Sequence, residues 1–497
     1  MLSKMDILFA PDEEKRRPLL VFLWIAYSLA TALLISNHAP WRDEANVWLI
    51  AREVGWLDIY KEAGSHKSPS LWYYVLAVPA KLGLPYWVMQ LSHWLGACFA
   101  AWIFLFKAPF SILFKATFIF SFYIAYEHAV TARVYMLTLL FMWIACWCYA
   151  KRYERPILYG CIIALLAHTS FFGMFAAVFL IVEYFFVPDN MLTRRQWCAV
   201  CIMFLGFFLS VAGLIPQKGG ALYYFKPDFS FCLWNIQRVF YSAYLAPNAN
   251  YLFSSGVKEA LWFMASWLGA LYGILTFWLL KRWRSYGLML FLVLGWLMIL
   301  YGSAFRYIWS GPRHYSFCLI YTVMVLWLGK ARYRPAKTTI DSLIGGLLLV
   351  SFLFGILGTV IQGYRNSCLP FSGGKRMAEY LVERKMDNKT FVVEDIMFAI
   401  SILPYMPEAS LWDPRKGKSI RYLHFDRSSF KELTITQVLG QVRRKFGSSD
   451  PIYLISHKEV INKNTKKLKW LYTARGQVET FWLYLVTGSR KGHGTGL

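Results

Sequence analysis

The stretch at residues 37–48 reads Asn-His-Ala-Pro-Trp-Arg-Asp-Glu-Ala-Asn-Val-Trp, and it places two adjacent carboxylates, Asp43 and Glu44, shortly after the apolar run at residues 19–35. A carboxylate at the centre of a bilayer costs roughly 2.5 to 3.5 kcal/mol on insertion scales. We therefore expect Asp43 at the boundary between membrane and water, where it stays ionised. A solvated loop in which an amphipathic helix begins is the alternative interpretation.

The composition indicates a membrane protein. Of the 497 residues, 57% are hydrophobic and 19% aromatic, and the mean hydropathy of +0.40 exceeds what one soluble core of this length uses. Roughly 20 apolar residues span a bilayer, and segments of about that length predict about eleven spans. They lie at residues 19–35, 85–106, 110–126, 134–150, 157–187 as a tight pair, 197–215, 259–280, 286–303, 314–329 and 340–361.

Lys and Arg concentrate in alternate loops between these runs, and short cytoplasmic loops retain positive charge. The cationic loops cover residues 4–17, 107–115, 151–155, 194–195, 281–284 and 330–337. We therefore expect a cytoplasmic amino terminus, with the Asp43 loop, residues 216–258, 304–313 and everything after Tyr364 on the outer side of a bacterial-type inner membrane. The first run lacks a small-x-small cleavage pattern, so we expect it to remain as a span.

The net charge of +25 could suggest nucleic acid as a partner. Most of this charge is the bias of the inner loops together with a basic carboxyl-terminal tail. Membrane lipids and lipid phosphate are therefore the predicted anionic partners, and nucleic acid is not.

Two parts are expected along the chain: an all-α polytopic membrane unit at residues 1–361 and a soluble α/β domain at residues 362–497. In the second part, residues 374–385 and 430–446 have helical patterns, and residues 390–394, 451–455 and 479–486 have strand patterns. Strands that alternate with helices predict a small α/β domain.

The first outer loop is long and patterned. Residues 45–52 predict an amphipathic helix that lies on the membrane, and residues 68–79 predict a second such element, too short before Pro79 and Gly83 to span the bilayer. Two interfacial helices between the first two spans indicate that this loop forms a cavity at the membrane surface.

Polar residues gather where the predicted spans end on the outer side. Carboxylates that serve as base or metal ligand, together with cations that hold phosphate, suit transfer from a phosphate-linked donor. For each residue alone, an interfacial anchor is the alternative, so the interpretation depends on the whole set. The set comprises Asp43, Glu44, His66, Lys67, Glu127, His128, Arg133, Lys218, Lys226, Arg306, Arg313 and His314.

Four short motifs follow one another along the chain: Asp43-Glu44, His66-x-x-Pro69-x-Leu71-x-Tyr73, Ala132-Arg133-x-Tyr135 and Arg313-His314-Tyr315. In this order they resemble the GT-C superfamily of integral-membrane glycosyltransferases, within it the protein O-mannosyltransferase and aminoarabinose (lipid A) transferase type. The resemblance covers the membrane unit in topology. It implies inverting transfer from a polyprenyl-phosphate sugar, such as an undecaprenyl-phosphate sugar, to a hydroxyl acceptor on a lipid, glycan or protein.

The resemblance also implies roles for the acidic positions. Asp43 matches the catalytic acid of the family and is assigned as general base, whereas Glu44 matches the second acid and is expected to orient loop groups or acceptor. Glu127 and His128 fall where the family has a second acidic position, so they are expected to ligate Mg²⁺ or Mn²⁺ or to form a polar wall. A histidine replaces the second carboxylate of some relatives, which leaves a metal-free mechanism open.

For the donor phosphate, Arg133 and Arg313 are the first candidates, because arginine offers a planar fork of donors and keeps its charge near a membrane. Lys67 and His66 are the second candidates. The alternative for Arg133 is a residue that caps carbonyls or anchors headgroups. Many relatives have an arginine at the start of the second span, where this chain has residues 85–90 without one, so phosphate contacts are expected to be redistributed.

Two other functions remain open at the level of sequence. A transporter or flippase of lipid-linked sugars requires charged residues inside its spans and broken helix pairs, and the predicted spans contain few ionisable residues. A non-catalytic protein that binds lipid-linked sugar is the other alternative.

Overall fold

The computed structural model describes most of the chain. The described residues are 8–9, 16–185, 192–215, 239–244, 267, 271–282, 284–303, 311–333, 339–426, 433–447, 451–471 and 479–486. Lys218, Lys226, Arg306 and part of the predicted span at 259–280 lie outside them.

The first 368 residues are helical wherever the structure describes regular elements. The helices are α1 (Arg17–Ser36), α2 (Arg42–Glu53), α3 (Ile59–Ser65), α4 (Leu71–Lys81), α5 (Trp87–Lys107), α6 (Ile112–Phe120), α7 (Tyr135–Cys148), α8 (Pro156–Ala167), α9 (Phe171–Phe185), α10 (Arg194–Leu214), α11 (Tyr286–Ser303), α12 (Pro312–Tyr333) and α13 (Thr339–Cys368). Further helical residues lie at 239–244 and 271–282.

Among the described helices, five are long and apolar enough to cross a membrane: α1, α5, α10, α11 and α13. The apolar helices α7, α8 and α9 are shorter. The chain is thus a multi-pass membrane protein, as its composition predicts. The total of about eleven spans stays a prediction.

The predicted span at residues 110–126 is not one regular helix. After α6 the backbone is extended at Ser121, and a wider π-type segment follows at Phe122–Glu127. Such segments interrupt the regular ladder of helical hydrogen bonds and often lie at functional sites. Residues 128–134 then connect this segment to α7.

The first long loop contains three helices, α2, α3 and α4, where the sequence predicts two. The additional helix, α3, has only seven residues, too few for a clear periodicity. Helix α4 also continues through Pro79 to Lys81, although proline has no N–H to donate to the carbonyl of Val75 one turn earlier.

The carboxyl-terminal part is the predicted α/β domain. It contains α14 (Gly374–Glu383), β1 (Thr390–Val393), α15 (Ile396–Ala399), β2 (Ser410–Asp413), β3 (Lys418–Ile420), α16 (Ile435–Phe446), β4 (Ile452–Ser456), β5 (Thr465–Leu471) and β6 (Phe481–Val486). The sheet order is β3-β2-β1-β4-β6-β5, with β1 parallel to both β2 and β4. The fold class is confirmed, and the predicted boundary at residue 361 lies inside α13.

Helix α2 connects the two parts of the molecule. The Asn46 side chain exchanges two hydrogen bonds with the backbone of Leu423: its amide donates to the carbonyl at 3.0 Å, and its oxygen accepts from the N–H at 2.7 Å. Beside this pair, Arg421 lies 3.3 Å from Glu53 and His424 lies 2.8 Å from Glu62. We name residues 421–426 the docking segment.

The Glu62–His424 contact makes docking dependent on pH. Burial alone would raise the pKa of Glu62, but hydrogen bonds from His424 and His66 lower it to about 2. The hydrogen bond to Glu62 raises the pKa of His424 against the opposing effect of burial. The contribution of Glu62 is present above its ordinary value of 4.5 and is lost as pH falls towards 2, whereas that of His424 is present below 6.5 and is lost as pH rises through its raised value.

We therefore expect Glu62→Gln to lower Tm by about 1 to 2 °C, the scale of a partly screened ion pair. The difference from wild type should be largest between pH 4.5 and 6.5, the ordinary pKa values of the two groups, and should shrink on either side. Thermal unfolding of the purified full chain across pH measures it. The control is Glu459→Gln, which removes an exposed ion pair with Lys467; an equal effect of both variants at every pH would contradict this account of docking.

Candidate active site

Glu44 is a fully buried carboxylate in the first turn of α2. Its Oε2 accepts hydrogen bonds from the N–H of Trp41 at 3.1 Å and from His38 Nε2 at 2.9 Å, and its Oε1 accepts from the N–H of Ala132 at 2.6 Å. Burial raises the pKa of Glu44, but His38 and the three donated hydrogen bonds lower it on balance. Glu44 is therefore an ionised structural group, consistent with the orienting role expected for it rather than with proton transfer.

This carboxylate links two distant parts of the sequence. Glu44 follows Asp43 directly, and the backbone N–H that it binds belongs to Ala132, which directly precedes Arg133. The Glu44 contact thereby fixes the start of α2 against the loop before α7.

Asp43 is the centre of the site. Its Oδ2 lies 3.1 Å from Arg133 Nη1 and 3.4 Å from Arg313 Nη2. The three side chains remain 27%, 21% and 19% exposed, so a substrate can reach all of them. The structure thus brings the predicted base together with both first candidates for phosphate binding.

Electrostatics and aromatic packing hold the two arginines. Burial alone would lower the pKa of Arg133, yet Asp43 raises it above its ordinary value. The Arg313 guanidinium lies 5.1 Å from the centre of the Trp41 ring, at the distance of a cation–π contact. Arg133 therefore keeps its charge at a partly exposed position, and Arg313 is held there by its contact with the Trp41 ring.

The carboxyl-terminal domain also reaches the site. The backbone N–H of Arg42 donates to Glu479 Oε1 at 3.3 Å, and the Arg42 guanidinium lies 4.4 Å from the centre of the Phe398 ring. The residue before Asp43 is thus held by two residues more than 350 positions away in the sequence. No pattern in the sequence indicated either contact.

The second candidates for phosphate, His66 and Lys67, lie next to the docking segment. His66 is 3.6 Å from Glu62 and 3.4 Å from the Asn46 amide, and its ring packs at 4.6 Å against Phe425. Burial lowers the pKa of Lys67 to about 8, and its φ of 57° is uncommon for a residue with a side chain. Asn46, which His66 contacts, lies one helical turn after Asp43, so His66 and Lys67 border the site. Their role in phosphate binding stays a prediction.

His128 is buried behind the arginines. Its Nε2 lies 2.9 Å from Ser316 Oγ, and burial, with further contributions from His93 and Arg313, lowers its pKa to about 3. No group of three His, Cys, Asp or Glu side chains suited to a metal ion occurs in the parts of the chain that the structure describes. Ligation of Mg²⁺ or Mn²⁺ by Glu127 and His128 stays a prediction, and we derive no step from a metal.

Two residues near the site were not among the predicted site residues. Tyr73 is buried, and burial raises the pKa of its hydroxyl. The nearby charge of Arg133 lowers this pKa, whereas those of Glu62 and Asp43 raise it. Tyr73 belongs to the motif that begins at His66, so the sequence contained a signal for it. Glu62 carried no such signal.

No protein-family model and no curated protein matches this chain. Among solved structures, it is similar to ArnT from Cupriavidus metallidurans in the apo state, with 14% identity over 93% of this chain and 97% of that chain and a TM-score of 0.42. It is also similar to the same protein bound to undecaprenyl phosphate, with 13% identity, the same coverage and a TM-score of 0.39.

We expect Glu44→Gln to lower the free energy of unfolding by about 1 to 3 kcal/mol, the usual cost of leaving a buried hydrogen-bonding group without its partner. The amide places N–H groups against donors that now bind carboxylate oxygens. Unfolding of the purified protein measures the loss. Glu53→Gln is a control on the same helix that removes two partly exposed pairs, with Arg52 and with Arg421, and it should cost less than about 1 kcal/mol. An equally small effect of Glu44→Gln would show that the buried carboxylate is not needed for the fold.

Proposed function

We propose that this protein is an inverting glycosyltransferase. It transfers a sugar from a polyprenyl-phosphate donor to a hydroxyl acceptor at the outer face of a bacterial-type inner membrane, with the carboxyl-terminal domain on that face. The observation that supports this most is the contact of one partly exposed carboxylate, Asp43, with two partly exposed guanidiniums, Arg133 and Arg313, shortly after an apolar helix. The orientation is supported by the distribution of Lys and Arg among the loops.

In this mechanism the acceptor oxygen forms a bond to the anomeric carbon, and the bond from that carbon to the phosphate oxygen breaks. Both bonding electrons leave on the lipid phosphate, and the acceptor proton passes to Asp43. Such a base contributes typically 10²- to 10⁴-fold in rate.

The two oxygens of Asp43 have different surroundings. The Arg133 and Arg313 contacts go to Oδ2, and Oδ1 lies 3.9 Å from Arg42 Nε. Each guanidinium has five N–H donors, so Arg133 and Arg313 can hold the leaving phosphate while they keep Asp43 in place.

We expect Asp43→Asn to reduce transfer at least 100-fold, because asparagine cannot accept the proton. The assay incubates the purified full chain in lipid with radiolabelled undecaprenyl-phosphate sugars and candidate acceptors, and it measures release of polyprenyl phosphate. The variant should still bind donor. Near-native turnover of Asp43→Asn would show that Asp43 is not the base.

Arg133→Ala should weaken binding of undecaprenyl phosphate roughly 10- to 100-fold, as expected for loss of a hydrogen bond to a charged group. Equilibrium binding in nanodiscs measures it. Arg152→Ala is the matched control, since Arg152 packs on the Tyr149 and Tyr153 rings away from Asp43. Equal affinities of the Arg133 and Arg152 variants would remove Arg133 from the phosphate site.

A further inference from the structure

A second layer of hydrogen bonds lies directly behind the two arginines that contact Asp43. It consists of two side-chain pairs, Tyr135 with His314 and His128 with Ser316. Each pair joins the segment around Arg133 to the first turns of α12, which begins next to Arg313. We name these two pairs the brace.

We infer that the brace positions Arg133 and Arg313 as one unit, so that Tyr135 and His128 are positioning residues for the lipid phosphate. This inference rests on the proposed function. Neither residue is required to touch the substrate.

The first pair of the brace is Tyr135 and His314. The Tyr135 hydroxyl lies 2.9 Å from His314 Nε2, and both side chains are buried. The His314 ring stacks on Phe172 at 5.9 Å with an interplanar angle of 23°, and Phe172 stacks in turn on Phe317 at 4.2 Å. Since Tyr135 is two residues after Arg133 and His314 directly follows Arg313, this hydrogen bond ties the backbones of both arginines together.

The second pair acts on the Arg313 backbone. The Ser316 hydroxyl donates its only proton to the carbonyl of Arg313 at 2.6 Å. Ser316 must therefore accept from His128, which fixes the proton of His128 on Nε2. His93 Nε2 lies 2.9 Å from the His128 carbonyl, so it is the donor there and holds the His128 backbone from the other side.

The His128–Ser316 pair is charge-neutral and shielded from water. His93, His128 and Ser316 are at most 2% exposed, and the depressed pKa of His128 keeps its imidazole neutral over the physiological range. A brace of this kind adds no charge to the site. It restricts the side chains of Arg133 and Arg313 before phosphate binds, so that binding costs less conformational entropy.

The test uses undecaprenyl phosphate as the probe and the full chain in nanodiscs. Tyr135→Phe removes one hydroxyl and should weaken binding about tenfold, the equivalent of roughly one hydrogen bond. The matched control is Tyr321→Phe, which removes a buried hydroxyl that joins the same helix, α12, to the Phe172 carbonyl at 2.9 Å. The control should bind like wild type.

Two further readouts separate positioning from a general structural defect. Because the brace acts through both arginines, the loss of binding in Tyr135→Phe combined with Arg133→Ala should be smaller than the sum of the two single losses, and the part that remains should act through Arg313. His128→Gln retains a donor near the Nε2 position and should preserve binding, whereas His128→Leu should weaken it.

Equal binding by the Tyr135 and Tyr321 variants would overturn the inference, as would additive losses in the double variant. Loss of binding in Arg133→Ala but not in Tyr135→Phe would reject the brace and leave the proposed function intact. If Arg133→Ala bound the probe as wild type does, the phosphate role of the arginines and the brace would both be wrong.

Discussion

The buried carboxylate of Glu44 is the constraint on which the arrangement of this site depends. Removing an ionised carboxylate from water costs several kcal/mol unless donors replace the lost hydration. The protein supplies three donors, from His38, Trp41 and Ala132. Satisfying this one group therefore requires that the end of α1, the start of α2 and the loop before α7 meet. Asp43 and Arg133, each adjacent to a residue in this network, are brought into contact as a consequence.

The same helix, α2, also carries the contacts to the carboxyl-terminal domain. In the first turn of α2, Arg42 contacts Phe398 and Glu479, and one turn later Asn46 binds the backbone of Leu423. The helix that presents Asp43 is thus held between the membrane helices and the carboxyl-terminal domain. Movement of that domain cannot leave the start of α2 unaffected, which gives the domain a structural role at the site apart from any contact with the acceptor.

Much of this arrangement could be predicted from sequence, and the remainder has identifiable physical causes. The apolar runs and the α/β pattern were accessible from hydropathy and periodicity. The candidates Asp43, Arg133 and Arg313 were accessible because charged residues next to long apolar runs stand out in a sequence. The partners of Glu44 were not, since two of its donors are backbone N–H groups, which carry no sequence signature. Strands β2 and β3 have only four and three residues, and β5 is rich in exposed lysine, so none shows a clear alternation. His128 was predicted as a metal ligand or polar wall from its neighbour Glu127, whereas its bond to Ser316 depends on how α12 packs.

The most direct test of the account is an experimental structure of the full chain in a lipid nanodisc with undecaprenyl phosphate. The account predicts the phosphate at the Asp43 site, with its oxygens about 3 Å from the guanidiniums of both Arg133 and Arg313. It also predicts that Glu44 remains buried on the N–H of Ala132. A phosphate bound elsewhere, with Asp43 still closed on both arginines, would contradict the assignment of this carboxylate and its two cations as the transfer site.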